Sequence, residues 1–172
     1  METSKRWAEV GRIAGKTEPK LSQVLFGLGR QDVKIRAEEQ MIQSELLDGL
    51  PSQHLALQII DHATVSYMWV MALYEVVRTL HQRLRAVSPD TAAKVAVAKR
   101  EFERIRIPMA KLEAASRFPE DSPFAWPSMD RLKGMSWYLS GELMISRAEL
   151  AELFLSTVES CDAAPPSPAG CI

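Results

Sequence analysis

Hydrophobic residues recur every three or four positions along the stretch from Ser52 to Ala86, which contains neither Gly nor Pro. This spacing is typical of one side of a helix with 3.6 residues per turn. Between Val65 and Tyr74 the apolar residues occupy the whole circumference, so we expect neighbouring elements to enclose this part. The pattern predicts a long central helix, with an inner stripe formed by Leu55, Ile59, Val65, Met68, Ala72, Val76, Leu80 and Leu84.

Shorter apolar patterns precede this helix. The pattern around Trp7 predicts a short amphipathic helix that ends between Gly15 and Pro19. A second apolar cluster closes at Gly27 and Gly29, and a third pattern covers residues 33–47. Because glycine favours turns and weakens helices, we expect the chain to break at these two glycines.

A new helix start follows the central helix. Ser88 offers a capping hydroxyl and Pro89 suits the first turn, so the next helix should run from Pro89 towards Ile107. Pro108 has no amide donor, and its ring crowds the preceding turn. We therefore expect a kink or a restart there, with residues 109–117 as a second helical piece.

The segment 118–128 contains three prolines and predicts a loop. Its Phe124 and Trp126 are expected to fold back onto the bundle, because burying an aromatic side chain is worth about 1.5–3 kcal/mol. Large apolar residues of this kind, together with eight methionines, could also leave a sticky surface once the core is filled.

A departure from helix is expected near residues 136–145. Two short apolar runs flank Ser140 and Gly141, and this arrangement predicts a β-hairpin with a tight turn. Ser146 and Glu149 then match the capping box of a helix start, so a final helix should run from residue 147 to about residue 158.

The length of 172 residues fits one domain. Residues 1–160 are predicted to form a mainly α, single-domain helical bundle, and residues 161–172 a disordered, Pro-rich tail. The first residues carry scattered charges and no continuous apolar segment, so we expect no secretory signal and a cytoplasmic location. The longest apolar run, 67–74, is far shorter than the roughly 20 residues that cross a bilayer, and no membrane association is expected.

Charge is distributed unevenly although the net charge is only −1. Residues 78–117 contain ten Lys or Arg and four Asp or Glu, an excess of +6, and pairing of the two helices could place their basic side chains on one surface. Hydroxyl, imidazole and guanidinium groups together can bind an anion or a nucleic-acid backbone. The alternative is an ordinary boundary between core and water. The candidate binding residues are Tyr74, Arg78, His81, Arg100 and Arg104.

A compact helical bundle with a basic flank resembles, in architecture only, the RNA-cleaving HEPN domains of bacterial defence and toxin systems. In that class an Arg precedes a His by four to six residues. Here Arg78 stands three residues before His81. The resemblance therefore transfers no site residue to this chain, and it implies RNA processing only as an alternative.

A polar group on the central helix is the remaining candidate for chemistry. His54, Asp61 and His62 could meet oxygens from acidic side chains, but the Glu-x-x-His pattern of bundle metal sites is absent. We interpret the group as a hydrated flank or an interhelical polar contact, with no metal and no cofactor. The acidic residues in question are Glu38, Glu39 and Glu45.

Together these observations favour a non-enzymatic helical interaction module that binds a protein partner or itself. The supporting feature is the surplus of large apolar residues over what one core requires. A nucleic-acid-binding or RNA-processing bundle that uses the basic flank is the alternative. The apolar residues that support the first hypothesis most directly are Trp7, Phe124, Trp126 and Trp137.

Overall fold

The central helix is present and unbroken in the computed structural model, which describes residues 2–48 and 52–162. This helix, α3, spans Gln53–Val87, and the hydroxyl of Ser52 caps it by accepting from the amide of Leu55 across 3.1 Å. The inner stripe of its first half differs from the prediction. His62, Ser66 and Trp69 face inward there, and Met68 is exposed. The prediction omits His62 and Ser66 because its stripe contains only apolar residues.

Two helices precede α3, α1 at Glu2–Thr17 and α2 at Pro19–Asp48. The predicted break at Gly27 and Gly29 is wrong, since α2 runs through both. Gly29 serves packing: a Cβ there would lie 2.5 Å from the Cβ of Trp7. A mid-helix glycine costs roughly 0.5–1 kcal/mol relative to alanine, but here it lets an indole rest against the backbone.

Helix α4 spans Pro89–Lys111. The hydroxyl of Ser88 pairs with the Thr91 hydroxyl at 2.7 Å and makes no side-chain cap. Pro108 lies inside the last turn, and Leu112 ends the helix in the left-handed conformation with φ of 58°. The predicted second helical piece at 109–117 is therefore wrong, because the chain leaves helical geometry at Leu112.

A small antiparallel sheet follows, with strand order β1-β2-β3. The strands are β1 at Trp126–Asp130, β2 at Gly134–Ser140 and β3 at Leu143–Ser146. The hairpin predicted near 136–145 is confirmed, and its turn includes Gly141 with φ of 43°. Residues 126–128 are strand rather than loop. Pro127 is tolerated there because β1 is an edge strand, where a missing amide donor costs little.

Helix α5, Arg147–Asp162, closes the described chain. Its capping box is confirmed: the Ser146 amide donates to Oε2 of Glu149 across 2.8 Å, and the Glu149 amide donates to Oγ of Ser146 across 3.1 Å. The helix extends to residue 162, so the first two residues of the predicted tail are helical. The rest of the predicted tail, residues 163–172, lies outside the described residues.

The core lies where the five helices meet, and strand β2 also contributes buried side chains to it. Trp7 occupies its centre, with its ring centroid 6.0 Å from that of Trp69 in an edge-on contact and 5.7 Å from that of Phe154 in a stacked one. The protein is thus a mainly helical bundle with a small sheet. None of the helices in the described residues combines the length and hydrophobicity that a membrane crossing requires.

Candidate functional site

The predicted basic surface lies along the seam between α3 and α4, and Tyr74 is buried in it. The Tyr74 hydroxyl donates to Oε1 of Glu103 across 3.3 Å, and the guanidinium carbon of Arg106 lies 5.1 Å from the ring centroid. Burial, followed by the Glu103 charge, raises the pKa of Tyr74. Its hydroxyl is therefore used in an internal contact between the two helices.

Arg78 and Arg104 each have a carboxylate partner. Arg78 Nε donates to Glu75 one helical turn away, across 2.7 Å. Arg104 forms a two-bond pair with Asp121, at 2.6 and 2.8 Å, and its guanidinium carbon lies 4.1 Å from the ring centroid of Phe118. This pair holds the loop after α4 against the helix, so the Arg104 charge is largely compensated within the chain.

His81 and Arg100 differ from the others. Burial, together with the nearby charges of Lys99 and Arg85, lowers the pKa of His81, so the neutral ring is favoured at neutral pH. Arg100 is exposed and lines a cleft of about 260 Å³ together with Lys99 and Arg117. Of the five predicted residues, Arg100 is the one that this cleft contains, and the others do not converge on it.

The interior contains an ionic cluster, defined as Asp32, Glu39, His62 and Arg147. Arg147 is 0 % exposed, and its guanidinium donates from Nη2 to Oε2 of Glu39 across 2.9 Å and from Nη1 to Asp32. The guanidinium carbon lies 5.2 Å from the ring centroid of Trp69. The N-terminus of α5 is thereby fixed to the middle of α2.

Asp32 is fully engaged on its other oxygen. The indole nitrogen of Trp7 donates to Oδ2 of Asp32 across 2.9 Å, and Nε of Arg36 donates to the same oxygen across 3.0 Å. A buried carboxylate is tolerated when its oxygens receive donors in this way. The cluster consequently joins α1, α2 and α5 through one side chain.

Glu39 is held in its ionised form. Burial opposes ionisation, but the contacts with His62 and Arg147 and the amide of Met135 outweigh it and lower the pKa of Glu39 to about 2. The Met135 amide donates to Oε1 of Glu39 across 3.2 Å. Gly134 provides the space that the Glu39 carboxylate occupies, because a Cβ at residue 134 would lie 2.8 Å from the Glu39 carboxyl carbon.

The sequence contains a signal for the two buried acids of α2, although the sequence-based prediction does not interpret them as buried. The inward residues of α2 alternate by steps of four and three, as in a heptad pattern. Two acids stand where the pattern calls for apolar residues, and an acid on a hydrophobic stripe indicates a buried partner. The stripe consists of Leu21, Leu25, Leu28, Asp32, Ile35, Glu39, Ile42 and Leu46. The identity of that partner, Arg147, has no local signal.

His62 connects this cluster to the surface. Its Nδ1 lies 3.3 Å from Oε2 of Glu38, and its Nε2 lies 3.4 Å from Oε1 of Glu39 without a hydrogen bond. The ring forms part of the wall of a groove of about 440 Å³ between α2 and α3, which we call the acidic groove. Its lining residues are Glu38, Met41, Ile42, Glu45, Gln58, Asp61, His62 and Val65.

The predicted polar group is thus divided by the structure. His62 makes an interhelical polar contact, Asp61 lines the acidic groove, and His54 is exposed. Among the described residues, no group of three or more His, Cys, Asp or Glu side chains is arranged to hold a metal ion.

A second surface feature lies beside the acidic groove on the exposed side of α3. Leu57, Ile60 and Met68 are 56 %, 60 % and 63 % exposed there. Phe124 and Trp126 contact each other with ring centroids 4.4 Å apart, and Trp126 is 62 % exposed. The prediction that both rings fold back onto the bundle is wrong for Trp126. We call these five residues the apolar face.

An apolar hollow of about 350 Å³ joins the two parts of this face. Ile60 of α3 and Phe124 of the loop both line it, so the helical and aromatic parts are continuous. None of the described residues that line it carries a charge. They are Ile60, Ala63, Thr64, Tyr67, Met109, Phe124, Ala125, Pro127 and Trp137.

Comparison with known proteins finds no matching family model, no matching curated protein and no matching solved structure. Any functional assignment for this chain must therefore rest on its own side chains and surfaces.

Proposed function

We propose that the chain is a non-enzymatic interaction module that associates with a second copy of itself through the apolar face. The observation that carries the proposal is the exposure of Met68, Ile60 and Trp126, each 60 % or more. Single exposed apolar residues are ordinary, but a contiguous patch of large ones marks an interaction surface.

A second copy is favoured as the occupant because the hollow of the face is uncharged. In a two-fold contact the same patch lies against itself, so any charge in it would meet a like charge. The hollow between Ile60 and Phe124 is lined, within the described chain, by uncharged residues alone. The acidic groove, in contrast, would place carboxylates against carboxylates.

The side chains of the face also have the properties of interface residues. Tryptophan, phenylalanine and methionine are enriched at the centres of protein interfaces, where they bury a large area with few rotatable bonds or adapt their shape. Met68 and Trp126 are the most exposed side chains of the face, and the hollow beside Ile60 offers a recess for a side chain of the partner copy.

Sedimentation velocity over a range of protein concentrations tests this proposal. The unchanged chain should form a dimer whose fraction rises with concentration. Met68→Glu should abolish the dimer, because a carboxylate would then be buried against its symmetry mate. Val97→Glu is the matched control, since it places the same charge on an exposed helical position of α4 outside the face, and it should leave the dimer intact.

Two results would contradict self-association. One is a strictly monomeric chain at every concentration measured. The other is equal loss of the dimer in Met68→Glu and Val97→Glu, which would assign the effect to net charge rather than to the apolar face.

Nucleic-acid binding at the cleft beside α4 is a second candidate. Within the described residues, Arg100 and Arg117 have no carboxylate at ion-pair distance, whereas Lys99 beside them pairs with Glu103. Phosphate contacts made by such cations weaken with salt. Binding of a labelled single-stranded RNA should fall with added salt and with Arg100→Glu. RNA binding that is insensitive to both changes, or no binding, would exclude this candidate.

A further inference from the structure

The acidic groove has the composition of a binding site for a cationic, partly apolar ligand. Glu38 and Glu45 of α2 and Asp61 of α3 stand at its rim, and Ile42 and Val65 form its apolar floor. Among the described residues, no lysine or arginine lines it. The groove therefore offers negative charge around a hydrophobic surface, and its volume of about 440 Å³ accommodates several side chains.

The rim carboxylates are uncompensated within the described chain. In residues 2–48 and 52–162, Glu45 and Asp61 form no ion pair with a lysine or arginine. The partner of Glu38 is His62, at 3.3 Å. Some other surface acids are paired: Glu152 and Glu159 with Arg6, and Asp162 with Lys16. Charge left unpaired beside an apolar floor favours a cationic ligand.

A polar side chain in the wall provides a second, independent indication. The buried Oε1 of Gln58 receives no donor from the described residues. Buried polar atoms are normally satisfied, so an unpartnered atom at a groove indicates that something supplies the missing partner. An ammonium or guanidinium group has donors for the Gln58 oxygen.

The spacing of the acids indicates the form of the ligand. Glu38 and Glu45 are seven residues apart on α2, which corresponds to two turns and about 10.5 Å along the axis. Met41 and Ile42 lie between them. A helix laid along the groove would match this order with two basic residues seven apart and apolar residues between them.

We propose that the acidic groove binds a basic amphipathic helical segment of a partner protein. Its two basic residues pair with Glu38 and Glu45, the charge of Asp61 on the opposite rim attracts them further, and its apolar side chains cover Ile42 and Val65. This mode of recognition places a helix in a groove and is selected by charge. The groove shares no lining residue with the apolar face, so the proposal does not depend on self-association.

Fluorescence anisotropy with a labelled helical peptide of about 15 residues tests the proposal. The peptide carries two lysines seven residues apart with two leucines between them, and a second peptide has glutamates in place of the lysines. Only the lysine peptide should bind the unchanged chain, and added salt should weaken it. The double variant Glu45→Gln, Asp61→Asn should bind it about tenfold more weakly.

Glu142→Gln is the matched control, because it removes one exposed carboxylate far from the groove in the turn after β2, and it should leave the affinity unchanged. Circular dichroism of each variant verifies the fold. Equal affinity of the double variant and the unchanged chain, or no binding of the lysine peptide, overturns the proposal. Displacement of the peptide by spermidine at equal concentration overturns the helical form of the ligand and assigns the groove to small polyamines.

Discussion

The two sides of the first half of α3 both break the rule that apolar residues lie inside and polar residues outside. On the inner side His62 is buried, with its Nε2 3.4 Å from Oε1 of Glu39, which in turn pairs with Arg147. On the outer side Met68 and its apolar neighbours lie in solvent. The same helix therefore carries polar groups where water is absent and hydrophobic groups where water is present.

The two exceptions differ in whether the chain compensates them. Arg147 and Arg36 together balance the charges of Asp32 and Glu39 through ion pairs, so the buried charge is explained by the fold itself. Nothing in the described residues covers Met68 or Trp126. A feature that the fold explains is structural, and one that it leaves unexplained is the better candidate for function.

Arg147→Met should destabilise the protein more than any other single substitution proposed for it. It leaves Asp32 and Glu39 buried with no guanidinium, and breaking a buried ion pair typically costs about 3–5 kcal/mol of unfolding free energy. Urea denaturation measures this loss. Combining it with Asp32→Asn and Glu39→Gln should recover part of the stability, because no uncompensated charge then remains.

Arg36→Met is the control for this prediction. Its side chain also contacts Asp32 but is 34 % exposed, so its removal should cost at most about 1 kcal/mol. If Arg36→Met and Arg147→Met cost the same, the cluster is not the structural centre that its burial indicates.

The helical architecture could be predicted from local patterns, and the ionic cluster could not. The Ser52 cap, the 146–149 capping box and the hairpin turn at Gly141 depend on neighbours within a few residues, so the sequence alone contains their signal. The contact of Asp32 with Arg147 joins residues 115 apart, and only the folded chain brings them together.

The role of Gly29 and the exposure of large apolar residues also could not be predicted from the sequence. Gly29 has the same sequence context as a helix breaker, but its role depends on Trp7, which lies on another helix. The sequence pattern places Met68 and Trp126 in the interior because it equates hydrophobicity with burial, whereas the number of neighbours available to cover them is a property of the whole fold. The predicted basic residues do not meet in one cleft, and this outcome also depends on the whole fold. Arg104, for example, pairs with Asp121 of the loop after α4.

Acid should destabilise the protein through Glu39. Its pKa is lowered from 4.5 to about 2, so its ionised form contributes stability that is present above pH 4.5 and lost as the pH falls towards 2. The shift corresponds to about 3 kcal/mol over that interval. Urea midpoints measured from pH 5 to pH 2 should fall more steeply for the unchanged chain than for Glu39→Gln. Equal slopes would contradict this, and Glu142→Gln should keep the slope of the unchanged chain.

Gly29→Ala should destabilise the fold by about 1–3 kcal/mol, since its methyl group would collide with Trp7 and force the indole out of its packing. Gly27→Ala provides a matched comparison two residues away on α2. A Cβ at Gly27 meets no atom of the described residues within 4 Å, so this change should stabilise the helix by up to about 1 kcal/mol. Thermal unfolding of the two variants measures the difference, and equal midpoints would show that the indole does not require the glycine.

Met68→Ser should have the smallest effect on the stability of the monomer. It tests most directly whether the outer side of α3 differs from the inner side. Its side chain is 63 % exposed, so at low protein concentration the unfolding free energy should change by no more than about 0.5 kcal/mol. At high concentration the melting temperature of the unchanged chain should rise, because association stabilises the folded state, whereas that of Met68→Ser should stay constant. The loss in Arg147→Met should persist at every concentration, since that defect lies inside one chain. A melting temperature of the unchanged chain that does not depend on concentration would remove the functional meaning assigned to the outer side of α3 and leave its exposed methionine as an ordinary surface residue.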